Sequence, residues 1–461
     1  MARLFLLNPK TGETVRTPLL SFLYLAAALQ RAGHEIALLD LSAPEAPRDF
    51  LERIRGFAPA IIGVHCKTLY AQETYALARE LRSLSVPLVC GGPHPTVMPL
   101  EPLAQGFDYA VVGEGEETLV ELCDALDGKR ELSAVRSLIW RDATGSLQLN
   151  PSRGFLLDLD ALAEPASALP LFDARWYGSK KAVPPAGLLA SRGCPAACTF
   201  CSNNVTGRRF RYRSPQGIAR EILDFDLTAF SFFDDSFAVG KRRMFELCDE
   251  LQRLPRRVYW TCTAHPAHLD KALMLRMQKA GCTGIDIGME SADPSMLLRI
   301  GKGIEVEQVL EVLLQAKSIG LHCMVNLMFG WPDETLSELR TTVDFIERAA
   351  PLAASFNARG VLVPYPGTAI YDLHHARFGF TGWWLREKLD YAPFPSSWSL
   401  QEIKRAYAAD AALERNFFRH PPAHLALMQE GLTRKADATY LHVAAPAVPG
   451  WVPALPAAGA R

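Results

Sequence analysis

The sequence has almost no net charge: 49 Lys plus Arg stand against 50 Asp plus Glu, a formal −1 over 461 residues. Without a basic excess to neutralise many phosphates, the expectation is a protein that does not bind nucleic acid. Long apolar runs are also missing. The longest, Pro18 to Leu29, is 12 residues and contains Ser21, short of the about 20 needed to span a bilayer. The start, Met1-Ala2-Arg3, leads into only four apolar residues before Asn8-Pro9 and does not read as a secretory signal. A cytoplasmic, soluble protein without a membrane span is expected. Cysteine is sparse, 10 in the chain, too few for a disulfide scaffold. Low complexity is absent too. With 49% hydrophobic and 21% charged residues, the composition is ordinary for a globular chain and excludes a collagen-like or coiled-coil one.

What is present is alternation. In the first 125 residues, Leu4–Leu7, Glu35–Asp40, Ala60–Val64, Pro87–Cys90 and Tyr109–Val112 read as strands. Helical patterns at Leu19–Ala32, Phe50–Phe57 and Thr74–Leu84 lie between them. Apolar strands separated by helices predict a parallel sheet covered on both faces, a doubly wound domain that binds ligands at its strands' carboxyl ends. Two of those ends carry glycine, Gly91-Gly92 and Gly113. Glycine lets a ligand approach the backbone closely, although tight turns alone would use the same residues. Residues from about 130 to 175 read as a connector, with a hairpin turn around Trp140–Gly145.

From about residue 186 a second alternation begins. Strands are expected at Gly187–Ala190, Ala229–Phe233, Val258–Thr261, Gly284–Gly288, Cys323–Phe329 and Phe356–Val363. A closed barrel of eight units needs about 250 residues, so six units in a shorter stretch predict an open, partial barrel. The segment Leu400–Glu430 is expected to be helical. The Ala/Pro-rich tail from Ala444 is expected to be disordered.

Seven cysteines are scattered, mostly in apolar runs. Three are bunched as Cys194-x3-Cys198-x2-Cys201, directly after the first strand of the second alternation. Three thiolates on one loop can hold three irons of a 4Fe–4S cluster and leave the fourth iron open to a chelating substrate. Zinc is the alternative, but it prefers four protein ligands in separated pairs, and no fourth Cys or His lies nearby.

At these residues the sequence resembles the radical S-adenosylmethionine superfamily, whose signature is this cysteine spacing with an aromatic, here Phe200, before the last Cys. Several further stretches look like the branch that carries an N-terminal cobalamin-binding domain. They are Ser191-Arg192-Gly193-Cys194, Arg211–Pro215, Phe232–Phe237, Gly288-Met289-Glu290-Ser291 followed by Lys302, Val325–Pro332 with Glu334-Thr335, Pro364–Thr368, Gly91–Pro95 and Gly113–Glu116.

The resemblance implies an α/β chain in this order: a cobalamin-binding-like domain over 1–130, a linker over 131–180, a (β/α)6 barrel over 181–375, a helical C-terminal region over 376–440, and a disordered tail over 441–461. It implies that Cys194, Cys198 and Cys201 bind the cluster, whose open iron takes the amino and carboxylate groups of S-adenosylmethionine. Asp234 and Asp235 would meet the amino group, and Glu290 and Ser291 the methionyl or ribose oxygens. Phe200 and the strand from Asn326 to Gly330 would flank adenine. Asn8, Gly91, Gly92, His94, Gly113 and Glu114 would line the cobalamin site. A loop cap remains the alternative for Asp234-Asp235, and a core ion pair for Glu290.

The implied activity is cleavage of S-adenosylmethionine to a 5′-deoxyadenosyl radical, then cobalamin-dependent methylation of an unactivated carbon, or of phosphorus, on a small molecule. An electron donor such as flavodoxin or ferredoxin would supply the electron. Radical rearrangement, cyclisation or oxidation without methyl transfer is the alternative. The sequence departs from the branch in two places. His265, in Ala264-His265-Pro266-Ala267-His268, stands where an Arg is usual, and a neutral surface histidine is its default reading. The first loop, Asn8 to Pro18, contains no histidine, so cobalt is expected to have no protein histidine as lower ligand. The aromatic stretch Phe378, Phe380, Trp383, Trp384, Tyr391, Phe394 and Trp398 reads as packing before it reads as a cap over a flat substrate.

Overall fold

Strand β1 (Arg3–Asn8) is apolar at four successive positions, and its neighbours β2 (Glu35–Asp40), β3 (Ile61–His65), β4 (Leu88–Gly91) and β5 (Tyr109–Val111) are also largely apolar. Such strands need cover on both faces, and a parallel sheet provides it. The computed structural model, which describes residues 1–12, 16–391 and 400–440, arranges them in the order β2-β1-β3-β4-β5. Leu4, Leu7, Ile61, Ile62 and Leu88 are fully buried there.

This sheet does not stop where the linker was expected to begin. Strands β6 (Leu138–Arg141) and β7 (Leu147–Leu149) form the hairpin read at Trp140–Gly145, and they add to the β5 edge in antiparallel fashion. Part of the segment read as a connector is therefore sheet. The unpaired edge of β5 explains this, since it presents backbone donors and acceptors that the nearest hairpin can satisfy.

The second sheet contains β8 (Gly187–Leu188), β11 (Ala229–Phe232), β12 (Tyr259–Ala264), β13 (Cys282–Glu290), β14 (His322–Leu327) and β15 (Ser355–Phe356). All are parallel, in the order β15-β14-β13-β12-β11-β8. A short antiparallel pair, β9 (Ser191–Arg192) with β10 (Arg211–Tyr212), lies beside it. The six-strand open arrangement matches the sequence expectation. Its last strand is shorter than expected, because only Phe329 and Val361 bridge beyond Phe356.

The helix Pro422–Tyr440 closes the open side. Thr439 Oγ1 accepts from Phe356 N at 3.0 Å, and Lys435 Nζ donates to Asn357 Oδ1 at 3.1 Å and to the Leu327 and Arg359 carbonyls. Among the described residues no helix is long and apolar enough to cross a membrane. The tail expected to be disordered, with Phe394 and Trp398, lies outside the described residues. Phe380, Trp383 and Trp384 are packing groups, each at most 2% exposed.

The two halves meet carboxyl end to carboxyl end. Glu114, just past β5, accepts from Arg192 Nη1 at 3.0 Å and Arg211 Nη1 at 2.8 Å, while Arg192 Nη2 also reaches Glu116 at 2.6 Å. A second contact knots the same edge. Trp384 Nε1 donates to Glu101, which also accepts from Tyr75 and meets His94 Nε2 at 2.8 Å. Removing one member of a buried ion pair typically costs about 3–5 kcal/mol, whereas an exposed pair is worth about 0–1 kcal/mol. Glu114→Ala is therefore expected to lower the melting temperature strongly by calorimetry, and Glu35→Ala, at the exposed pair with Arg3, to leave it nearly unchanged.

The turn after β14 yields a pH prediction. Glu334 is buried and accepts from Gly330 N. Burial pushes its carboxyl up to about 8, with backbone donors pulling the other way. An unfolded Glu titrates near 4.3. Between the two values the folded protein holds a proton that the unfolded chain releases, so this group lowers stability as pH rises. Glu334→Gln removes that slope. Its melting temperature relative to the parent is expected to rise from about pH 4.5 and level off above about pH 8.

Candidate functional site

The cysteine loop is held from three sides. Gly193, at φ 87°, turns the chain into it; an added Cβ would lie 2.5 Å from the Arg209 carbonyl, so only glycine fits. The loop is then closed by Cys194 N donating to Gly207 O at 3.1 Å and Asn203 Nδ2 to Ala196 O at 2.7 Å. Thr199 N reaches Ile300 O at 2.9 Å, tying the loop to the fourth strand–helix unit. Cys198 is buried, Cys194 and Cys201 are half-buried, and no disulfide joins any of the ten cysteines. Burial pushes the Cys198 thiol up, while the Lys302 ammonium pulls it down.

Asp234 and Asp235 clasp the start of this loop. Asp234 is 1% exposed and accepts from Ser191 Oγ at 2.8 Å, from Ser191 N and from Ala190 N. Its carboxyl is pushed up to about 6 by burial, against the charge of Arg243. Asp235 accepts from Thr206 Oγ1 at 2.7 Å and Gly193 N at 3.2 Å. The pair thus matches the loop-cap alternative more closely than a direct contact to a ligand's amino group, because backbone and hydroxyl donors already surround both carboxylates.

At the end of β13 the register with β14 slips between Gly288 and Glu290, and Glu290 takes φ 70°. Such a bulge re-aims a side chain. Here it turns Glu290 onto Lys302 Nζ at 3.0 Å, both nearly buried. Gly288 leaves room for them, since an added Cβ would lie 2.6 Å from Glu290 Oε1. His265 joins from β12's end. Its Nδ1 accepts from Ala267 N at 3.3 Å, which leaves Nε2–H to donate to Lys302 O at 2.9 Å. Burial pushes His265 down to about 4, so it is neutral. It is a positioning histidine for Lys302, not a surface one. Ser291 points elsewhere: fully buried, it pairs with Thr342 Oγ1 at 3.0 Å. The expected contact from Ser291 to methionyl or ribose oxygens gives way to a strand–helix link.

On β14, Asn326 is half-buried opposite Gly288. Gly330 follows at φ 82° in the turn braced by Glu334. Phe200 packs edge-on against Trp331 with ring centroids 5.3 Å apart, which brings the cysteine loop to this turn. Cys194, Cys198, Cys201, Phe200, Glu290, Asn326 and Gly330 thus belong to one carboxyl end of the second sheet.

The first sheet's carboxyl end carries a small open cleft lined by Asn8, Pro9, Thr11, Leu19, His65, Lys67 and Tyr70. Above the backbone of Gly91 and Gly113 nothing lies within 4 Å of an added Cβ, as close ligand approach requires. Gly92 differs. At φ 114° its Cβ would strike His65 Cδ2 at 2.6 Å and Cys66 O at 2.9 Å, so it serves packing. His94 is fully buried between Thr68 Oγ1 and Glu101, a core histidine and not a cleft residue. Glu114 holds the two halves together, as described.

Sequence reasoning missed His65, Lys302's pairing, Glu101 and Lys435. For His65 the signal was present, a histidine ending an otherwise apolar strand. The others declare themselves only through contacts distant in sequence.

The comparisons agree with this geometry. The B12 binding domain family matches residues 15–123, and the Radical SAM superfamily matches residues 188–346. An uncharacterized methyltransferase of Pyrococcus horikoshii is 29% identical over 387 residues, covering 80% of this chain and 82% of that protein. An anaerobic magnesium-protoporphyrin IX monomethyl ester cyclase of Rubrivivax gelatinosus is 25% identical, over 76% of this chain and 65% of its own. Among solved structures, the radical S-adenosylmethionine methyltransferase TsrM from Kitasatospora setae, with cobalamin and a 4Fe–4S cluster bound, superposes with a TM-score of 0.67 at 21% identity. That match covers 82% of this chain and 75% of TsrM, and it supports the fold. Both family matches fall on the two halves whose carboxyl ends meet, so this chain joins a B12 binding domain to a radical S-adenosylmethionine domain.

Proposed function

We propose that the chain is a cobalamin-dependent methyltransferase acting on an unactivated carbon, or on phosphorus, of a small molecule. The observation that carries this reading is the docking of the two carboxyl ends, which sets the Gly91 and Gly113 backbone and the cleft around Asn8 on the same side as the cysteine loop. In this reading Cys194, Cys198 and Cys201 hold three irons of a 4Fe–4S cluster. Three thiols on one braced loop suit that group, and a loop without a fourth nearby Cys or His does not suit structural zinc. When bound, the cluster supplies the electron that cleaves S-adenosylmethionine, and cobalamin supplies the methyl group.

The chain's own residues hold and shield. Asp234 and Asp235 fix the loop through Ser191, Gly193 and Thr206. Lys302 places a positive charge beside Cys198 and favours its thiolate. Glu290 and Asn326, at strand ends, offer acceptors for an ammonium and ribose hydroxyls. The two docked halves exclude water from a radical that would otherwise abstract hydrogen indiscriminately. A flavodoxin or ferredoxin is the proposed electron donor. The likeness to a protein named a methyltransferase supports methyl transfer. The likeness to a cyclase supports the second reading, radical cyclisation without methyl transfer.

Iron and sulfide analysis after anaerobic reconstitution is expected to give about four of each per chain. Cys194→Ala, Cys198→Ala or Cys201→Ala should each abolish the cluster's visible absorption, whereas Cys66→Ala should not. Zinc in protein purified without air would refute the cluster.

Coproducts decide between methylation and cyclisation. A methylated substrate should appear with S-adenosylhomocysteine and 5′-deoxyadenosine at about one to one, because one S-adenosylmethionine donates methyl and another is cleaved. Turnover that forms 5′-deoxyadenosine alone would overturn methyl transfer and leave a radical rearrangement, cyclisation or oxidation.

A further inference from the structure

The amino end of the first sheet, remote from the cysteine loop, carries a cluster that the function above does not use. His34 lies directly before β2, in the turn that follows the helix Leu20–Arg31. Its backbone N donates to Leu29 O at 3.0 Å, which folds the turn back against that helix. The side chain is fully buried, and neither ring nitrogen makes a hydrogen bond to a described residue. Folded chains rarely leave a buried polar group in that condition, and an ion or a water is the usual missing partner. Burial pushes the imidazole's pKa down against the pull of the Asp124 carboxylate, so the ring is neutral and one nitrogen offers a lone pair.

The ring faces two carboxylates. Asp124 is in the last turn of the helix Glu116–Leu126, and Asp127 caps that helix. Asp124 Oδ1 lies 3.5 Å from His34 Nε2. One ligand atom from each of His34, Asp124 and Asp127 falls within 4.8 Å of the others. A tetrahedron built on zinc bonds of about 2.0–2.1 Å has edges of about 3.4 Å, so a small side-chain movement brings the three atoms onto one ion.

The cluster already attracts positive charge. Lys129 Nζ bridges the carboxylates, 3.0 Å from Asp124 Oδ1 and 3.1 Å from Asp127 Oδ2. The amino group of Met1 is 2.7 Å from Asp127 Oδ2. Both ammonium groups are on exposed, movable chains. They answer the carboxylates but give the buried imidazole no hydrogen bond. Two helices also end here, and the partial negative charge at their carboxyl ends favours a cation.

We propose that His34, Asp124 and Asp127 form a structural site for a divalent transition-metal cation, with zinc the best match. One imidazole and two carboxylates supply three ligands, and water completes the shell. The imidazole sets the site apart from those of magnesium and calcium, which take oxygen. Lys129 yields the carboxylates and moves into water. β1 separates this end of the sheet from the cleft at Asn8 by six residues, about 20 Å of strand, so the ion holds and does not react. It clasps the turn before β2 to the end of the helix Glu116–Leu126.

The test uses the full chain with its cluster reconstituted, so that the three thiolates of the loop are occupied, and zinc chloride as the probe. Calorimetric titration is expected to show about one equivalent bound. His34→Gln and Asp124→Asn should each lose it. Lys129→Ala should tighten it several-fold, because the competing ammonium is gone. Zinc should raise the melting temperature of the parent but not of Asp127→Asn, a half-buried position that leaves the fold intact. Cobalt(II) chloride, added to the chain carrying Cys194→Ala, Cys198→Ala and Cys201→Ala, should give d–d bands without sulfur-to-cobalt charge transfer. A folded protein that takes up no zinc overturns the site. So does uptake that the His34, Asp124 and Asp127 variants leave unchanged, and so does a cobalt spectrum dominated by sulfur ligation.

Discussion

One carboxylate, that of Glu114, is shared by the guanidinium groups of Arg192 and Arg211. Arg192 lies two residues before Cys194, and Arg211 pairs with it across the β9–β10 ribbon. The cysteine loop begins and ends next to this ion pair, so its position is set by the first sheet as much as by the second. A charge buried with two partners tolerates no drift: moving either half would leave a guanidinium without its carboxylate in a poorly hydrated seam. Glu116, on Arg192's other nitrogen, and Trp384 on Glu101 fix the same edge further out. The space between the two carboxyl ends is therefore defined by charge pairing at one side and aromatic packing at the other.

Around that seam, positive backbone dihedrals and local bulges gather at the strand ends. Glu290 at φ 70° and Gly193 at φ 87° both border the cysteine loop. Strain in such places is sustained by what surrounds it. Here Lys302 and the Asp235 carboxylate supply that support. The neutral His265 under Lys302 shows how a chain can replace one charge by a hydrogen bond: it holds the lysine's backbone rather than competing for Glu290.

Strand positions were legible because fully apolar runs such as Leu4–Leu7 and Ala60–Val64 have one stable home, inside a covered parallel sheet. The cysteine loop was legible because its chemistry is local, eight residues carrying the whole donor set. Roles that depend on long-range partners were not. Ser291 sits one residue from Glu290, yet the bulge sends them to opposite surroundings, and no spacing in the sequence records a bulge. His94 and Gly92 lie in a motif that suggested a ligand. Their surroundings, Glu101 and Trp384 for one and His65 for the other, come from segments up to 290 residues away. The hairpin on the first sheet was visible as a turn, but only the open edge of β5 gave it a place.

The helix Pro422–Tyr440 has a consequence for how the protein comes into being. Its Thr439 and Lys435 satisfy backbone groups of Phe356, Leu327 and Arg359 that no strand reaches. On a ribosome, the first sheet has all seven of its strands once roughly the first third of the chain has emerged. The rim of the second sheet stays open until nearly the last described residue is made. For that interval the nascent chain displays an unpaired strand margin, the kind of surface that invites association with another chain. Translation order thus divides the protein into a half that can mature early and a half whose completion waits on its final helix.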